Sequence, residues 1–282
     1  MHKAVDPKDK FREEIGKFVH TLSGYTCSKD KEWTVKGFID IYRNIFTISG
    51  DTKIVSKILE IHLFPKLLEF AKSNKYKLVL ANHQNYYPDM SFIDEKGNKF
   101  ALDLKTTYRR SSHPGHCNGF TLGSHGEYFI NRVSSKNIQY PYSQYSGHFC
   151  LGIIYTRAVS EAIDETKIFS IDKLKSITSV VKDFNFFVCE KWQIASDKSG
   201  SGNTANIGSI DNIEDIVNGN GMFKNLGEKW FDDYWMNYGK ITITDEKGKQ
   251  KKISTLKEFL TYRGATHELI VPKRSKKKVT LK

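Results

Sequence analysis

Two short stretches hold the side chains best suited to chemistry, Pro88-Asp89 and Asp103-Leu104-Lys105. Residues 89–95 and 99–106 read as two strands flanking Lys96-Gly97-Asn98, a turn whose Gly and Asn tolerate positive φ. Side chains alternate along a strand, so Asp103 and Lys105 project from one face while Leu104 points into apolar surroundings. A three-residue loop sets Asp89 opposite Asp103, and a slip of one residue turns Asp89 to the wrong face unless a bulge corrects it. Two carboxylates and an amine gathered on one patch suit metal-assisted phosphodiester hydrolysis. Hard carboxylate oxygens hold Mg²⁺ and leave positions for water and a phosphate oxygen. The lysine then has two uses: it stabilises charge on the transition state, or, with a lowered pKa, it orients and helps deprotonate the attacking water.

Asp-x-Lys by itself is cheap in a chain with 27% charged residues, and Asp6-Pro7-Lys8, Asp51-Thr52-Lys53, Asp94-Glu95-Lys96 and Asp245-Glu246-Lys247 match it equally. Asp103 differs in its neighbours, Phe100, Ala101, Leu102 and Leu104. An unpaired carboxylate buried in such a strand is costly unless a cation or a donor compensates. A structural Asp–Lys ion pair meets that need as well as a metal does, and the triplet alone leaves both readings open. Asp94 and Asp245 lie beside turn glycines and read as solvated. A second feature is Ser199-Gly200-Ser201-Gly202-Asn203-Thr204, which follows a strand ending near Ala195. Glycines let the backbone approach another molecule closely, and Asn203 offers the donor and acceptor that read adenine in the major groove. The same run also fits a flexible surface loop or a phosphate nest.

The elements that must position these residues are legible as patterns. Phe11, Ile15, Phe18, Val19 and Leu22 recur at helical spacing up to Gly24, and residues 33–48 read as extended. Asp51-Thr52 offers an N-cap to a long helix containing Ile54, Ile58, Leu59, Leu63, Leu67, Leu68 and Phe70, with a bend at Pro65; Glu60 lies on it. Strands are predicted over 76–80, 149–156 and 184–195, and helices over 211–218, 225–238 and 254–262. Trp230, Phe231, Tyr234, Trp235 and Tyr238 are spaced as helix core. An antiparallel hairpin with flanking helices indicates an α/β or α+β chain.

The 282 residues suffice for one full core, with no low-complexity linker. A formal charge of +12 favours a polyanionic partner, and nucleic acid fits better than membrane. The longest apolar run, Phe149–Tyr155, is too short to span a bilayer, and Met1–Asp6 is no signal peptide. Cys27, Cys117, Cys150 and Cys189 lack a Cys-x-x-Cys spacing and read as reduced thiols of a cytoplasmic protein. His113-Pro114-Gly115-His116-Cys117, with His125, reads as a loop rather than a zinc site, since no second ligand pair accompanies it.

Taken jointly, these residues resemble the EcoRV family of type II restriction endonucleases, within the PD-(D/E)xK nuclease superfamily. The likeness is carried by Ser49-Gly50-Asp51-Thr52-Lys53, Gln84-Asn85, Tyr87-Pro88-Asp89 and Asp103–Tyr108. It continues through Phe120-Thr121-Leu122-Gly123, Lys136-Asn137-Ile138, Tyr155-Thr156-Arg157, Gly200–Thr204 and Asn206–Ile210, in order over roughly residues 48–264. The resemblance implies a restriction-endonuclease-like mixed central sheet flanked by helices. Residues 1–264 would be one domain with catalytic/DNA-binding and dimerisation subdomains, and 265–282 a basic tail. It implies Asp89 and Asp103 as metal-binding carboxylates, Lys105 as the catalytic lysine and Glu60 as an accessory acid of the metal site. Gly200, Ser201, Gly202, Asn203 and Thr204 would read bases in the major groove, Gln84 and Asn85 would enter the minor groove, and Lys136 would contact DNA. A homodimer would use Mg²⁺ to cut the palindrome GATATC bluntly, leaving 5′-phosphates, in a host whose cognate methyltransferase protects that sequence. Ala205 replaces a second threonine of the family, and Lys198-Ser199 replace an apolar-small pair. Lys273–Lys278 reads equally as a disordered electrostatic arm on DNA or as a purely solvated tail.

Overall fold

The computed structural model describes residues 5–83, 85–158, 164–200, 205–244 and 248–268. Asp6 opens α1 (Pro7–Val19): its carboxylate accepts the Lys8 N–H, Pro7 fills the first turn, and Phe11, Ile15 and Val19 bury one face. The run predicted to reach Gly24 is two helices, because the chain breaks at His20-Thr21 before the short α2 (Leu22–Thr26). Residues 33–48 form a hairpin rather than one extended segment. Its strands are β1 (Gly37–Ile39) and β2 (Asn44–Thr47), and Asp40 closes the bend by accepting the Tyr42 and Asn44 N–H groups. Asp51 caps α3 (Thr52–Ser73) through the N–H groups of Lys53 and Ile54, and the helix continues across Pro65.

Next come β3 (Lys77–Leu80), β4 (Met90–Ile93) and β5 (Lys99–Tyr108), the hairpin that carries the acids. They are followed by β6 (Thr121–Ser124), α4 (Glu127–Ile130), the long β7 (Tyr145–Arg157) and β8 (Ile168–Ser170). The strand expected over 184–195 is interrupted. β9 (Val181–Glu190) gives way to one turn of helix, α5 (Lys191–Ile194), before β10 (Ala195–Ser199). The break has a local cause: Glu190 and Gln193 satisfy each other's backbone N–H groups in a capping box, which starts a helix where apolar content alone suggested a strand. β11 (Asn206–Ser209), α6 (Ile213–Val217), α7 (Glu228–Asn237), the hairpin β12 (Thr242–Thr244) and β13 (Gln250–Lys252), and α8 (Leu256–Tyr262) complete the described chain.

The central sheet has the order β3-β4-β5-β7-β9, parallel between β5 and β7 and antiparallel elsewhere. Helices flank it, giving the mixed α+β architecture expected. Alternation splits the sheet between two cores. Phe100, Leu102, Leu104, Phe149, Leu151 and Ile153 pack with α1 and α3, while Ala101, Cys150 and Ile154 share the opposite core with β6, β11, α7 and α8. Asp103 and Lys105 therefore lie on the face that also receives the second sheet, ordered β10-β11-β6. Among the described residues, no helix is long and apolar enough to cross a membrane.

Candidate active site

The β4–β5 turn fixes the register of the acids. It lies one residue earlier than the sequence suggested: the Asp94 N–H donates to Asn98 O at 3.1 Å, and the Gly97 N–H to Asp94 O at 3.0 Å, with Gly97 at φ +83. Asp94 is a turn cap rather than a merely solvated side chain, since its carboxylate also accepts the Lys96 and Asn98 N–H groups. Three residues, Glu95-Lys96-Gly97, make the loop, with glycine in the left-handed position such loops need. Pairing from Ile93↔Lys99 to Met90↔Leu102 brings Asp89 up beside Asp103, whereas a loop at 96–98 would have set it opposite Lys105.

The three side chains converge. Lys105 Nζ lies 2.9 Å from Asp103 Oδ2 and 3.9 Å from Asp89 Oδ2. Backbone donors aim both acids: the Leu104 N–H reaches Asp89 Oδ2 at 2.8 Å, and the Asp89 N–H reaches Asp103 Oδ1 at 3.4 Å. The Asp103 side chain is 5% exposed against 34% for Asp89 and 26% for Lys105, so Asp103 anchors the site and the other two face incoming solute. Burial, followed by the charge of Asp103, raises the Asp89 carboxyl to about 6. Burial pushes Asp103 the same way, but Lys105 and Lys191 outweigh it and hold that carboxyl below its ordinary value. Burial also opposes the Lys105 ammonium, yet Asp103 and Asp89 raise its pKa above the lysine value. Of the two uses open to Lys105, charge stabilisation is the one this environment favours, because an ammonium whose pKa is raised stays protonated near neutrality and is a poor base.

Sequence reading missed the surroundings of this trio. Lys191, on α5, is buried, with its ammonium 4.0 Å from Asp103 Oδ2 and 3.7 Å from the centroid of the Tyr87 ring. Burial lowers its pKa to about 8 against the pull of Asp103. The Tyr87 hydroxyl pairs with His148 Nδ1 at 2.9 Å, and its ring stacks on Tyr128 at 5.3 Å. Burial keeps His148 neutral by depressing its pKa. The available signal was a Glu-Lys pair inside a stretch read as an apolar strand.

Glu60 lies on α3 with its carboxylate 2.7 Å from Lys57, one turn earlier. Its charge contributes to raising Asp89, yet among the described residues no three acid, histidine or cysteine side chains gather at metal-ligand spacing. Glu60 engages Lys57 on its own helix, and Asp89 and Asp103 are the acids that Lys105 joins. Those two fit a hard divalent cation: they are close, mutually repulsive carboxylates, and one keeps an exposed edge. His116 pairs with Asp211 at 3.2 Å. Asn85 is exposed in the turn between β3 and β4, and Gln84 lies outside the described residues. Lys136 is exposed and paired with Glu127 at 3.1 Å. Gly200 leaves β10 with its N–H on Asn206 O at 2.8 Å, whereas Ser201, Gly202, Asn203 and Thr204, like the 273–278 basic run, lie outside the described residues.

Comparison with known proteins places the chain in a family. The family described as restriction endonuclease EcoRV matches residues 29–264. The type II restriction enzyme EcoRV of Escherichia coli is 35% identical over 239 residues, which cover 84% of this chain and 94% of that protein.

Proposed function

The chain belongs to the EcoRV family of type II restriction endonucleases, site-specific deoxyribonucleases, and on that premise we propose that it uses Mg²⁺ to cut both strands of GATATC at the centre, leaving blunt ends and 5′-phosphates. The observation that carries this reading is the convergence of Asp89, Asp103 and Lys105 on one face of the β4–β5 hairpin. Asp89 and Asp103 hold the metal, and Glu60 organises the site or assists a second ion. A bound Mg²⁺ supplies Lewis-acid polarisation and lowers the pKa of water. Lys105 places its ammonium against the phosphate as negative charge develops in the transition state. Asp103, fixed from beneath, keeps Lys105 aimed, and the water attacks in line with the departing 3′-oxygen.

Base reading falls to Gly200, Ser201, Gly202, Asn203 and Thr204 in the major groove and to Gln84 and Asn85 in the minor groove, with Lys136 on the backbone. Residues 1–264 act as one domain with a dimerisation part. A homodimer suits a palindrome, since each subunit addresses one strand. Supporting it, Phe38, Phe46 and Ile168 pair across β1, β2 and β8 as an exposed apolar row. Such an enzyme works in the cytoplasm beside a cognate DNA methyltransferase.

Incubation with a plasmid carrying one GATATC site and Mg²⁺ should give one blunt linear product. Unchanged plasmid over a range of Mg²⁺ concentrations would instead indicate a DNA-binding regulator, and branch-dependent cutting a repair nuclease. Asp103→Ala and Lys105→Ala should each lower turnover by about 10²-fold or more; near-normal turnover in either would refute the assigned roles.

A further inference from the structure

A buried lysine is expensive unless something uses its charge. Lys191 is buried, its side chain only 5% exposed, and among the described residues the one carboxylate within ion-pair distance is Asp103, at 4.0 Å. Its chain neighbour Glu190 points elsewhere, to Lys8 at 2.9 Å and to Arg12, so the adjacent acid does not neutralise it. The head group is also held in place. The Tyr87 ring lies 3.7 Å away, fixed by its own bond to His148. On another side stands Gly123, where even a Cβ would come within 3.1 Å of the ammonium. A cation confined against an aromatic face and directed at one carboxylate is built for that carboxylate.

The charges around the acids then balance as Asp89 and Asp103 against Lys105 and Lys191. We propose that Lys191 is a positioning residue of the active site, a fixed counter-charge that aims Asp103 and restrains how tightly the acid pair takes a divalent cation. Removing it leaves the pair one unit more negative and a cation meets less repulsion; at such separations in a partly dry site, one charge is a large effect. The charge comes from α5, the turn that leads into β10 and the glycine-rich loop, and not from the hairpin that bears the acids.

The inference rests on Asp89 and Asp103 being the metal ligands, and the test separates the two. Mn²⁺ affinity of the full chain without DNA, read by electron paramagnetic resonance titration, is compared for wild type, Asp103→Asn, Lys191→Met, Lys191→Gln and Lys191→Arg, with circular dichroism melts to establish folding. Lys191→Met and Lys191→Gln should bind Mn²⁺ at least about tenfold more tightly, while Lys191→Arg stays near wild type. Equal or weaker binding in the folded neutral variants, with Asp103→Asn still losing the ion, overturns the role of Lys191 alone. Wild type and Asp103→Asn binding alike overturns the metal reading and this inference with it.

Discussion

Asp89 is ionised at neutral pH against the combined opposition of burial and the neighbouring Asp103 charge, which raise its carboxyl from 3.8 to about 6. The folded pKa exceeds the unfolded one, so the native state holds a proton that the unfolded chain has released between those values. Stability from this group therefore falls as pH rises through the window from about 4 to about 6, then stays level. Asp89→Asn removes the titration and keeps a polar side chain beside the Leu104 N–H. Without metal, this variant should melt above wild type, by a margin that grows from about pH 4 to about pH 6 and is constant beyond; a margin independent of pH would contradict the strained carboxylate. Under the proposed metal role, function and stability pull apart at this residue, since the repulsion that weakens the fold is what a divalent cation would relieve.

The elements around the site are joined at two points, one an ion-pair tie and one a close backbone approach. Glu190 ends β9, starts α5 and anchors α1 through Lys8 and Arg12, so the turn carrying Lys191 is tied to the amino-terminal helix. At the root of the glycine-rich loop, Gly208 on β11 lies so near β10 that an added Cβ would stand 2.6 Å from Lys198 O and 3.1 Å from Gly200 N. Both obstacles are backbone and cannot swing aside, so Gly208→Ala must spread the two strands. Gly208→Ala should weaken binding to a GATATC duplex by about tenfold or more, while affinity for a scrambled duplex, set by phosphate contacts, stays near wild type. Fluorescence anisotropy with both duplexes checks this, and equal loss on the two would place the damage outside base reading.

Over the whole molecule, a charge of +12 and an exposed apolar row are surfaces that the proposed function would put to two different uses. The charge fits a polyanion and predicts affinity that falls steeply with salt. The row Phe38, Phe46 and Ile168 fits a second copy of the chain, because cross-strand side chains on one face bury together when two such sheets meet. Phe46→Asp should turn a dimer into a monomer in sedimentation and abolish double-strand cutting, with the far-ultraviolet spectrum kept. A dimer that survives this change would remove the row from the interface.

The acids, the lysine and their common face followed from sequence, because alternation along a strand and the chemistry of a glycine turn act over a few neighbouring residues. The N-cap of α3 and the strands around the acids were legible for the same reason, and the order of family motifs carried the rest. Tertiary structure decided what depends on residues far apart in the chain. Lys191 faces Asp103 only after β9 pairs with β7 and α5 turns back over the sheet, and Tyr87 meets His148 only after β5 has paired with both β4 and β7. Short-range preference sets which face a side chain takes, whereas the charge it meets there is supplied by whatever the folded chain brings alongside.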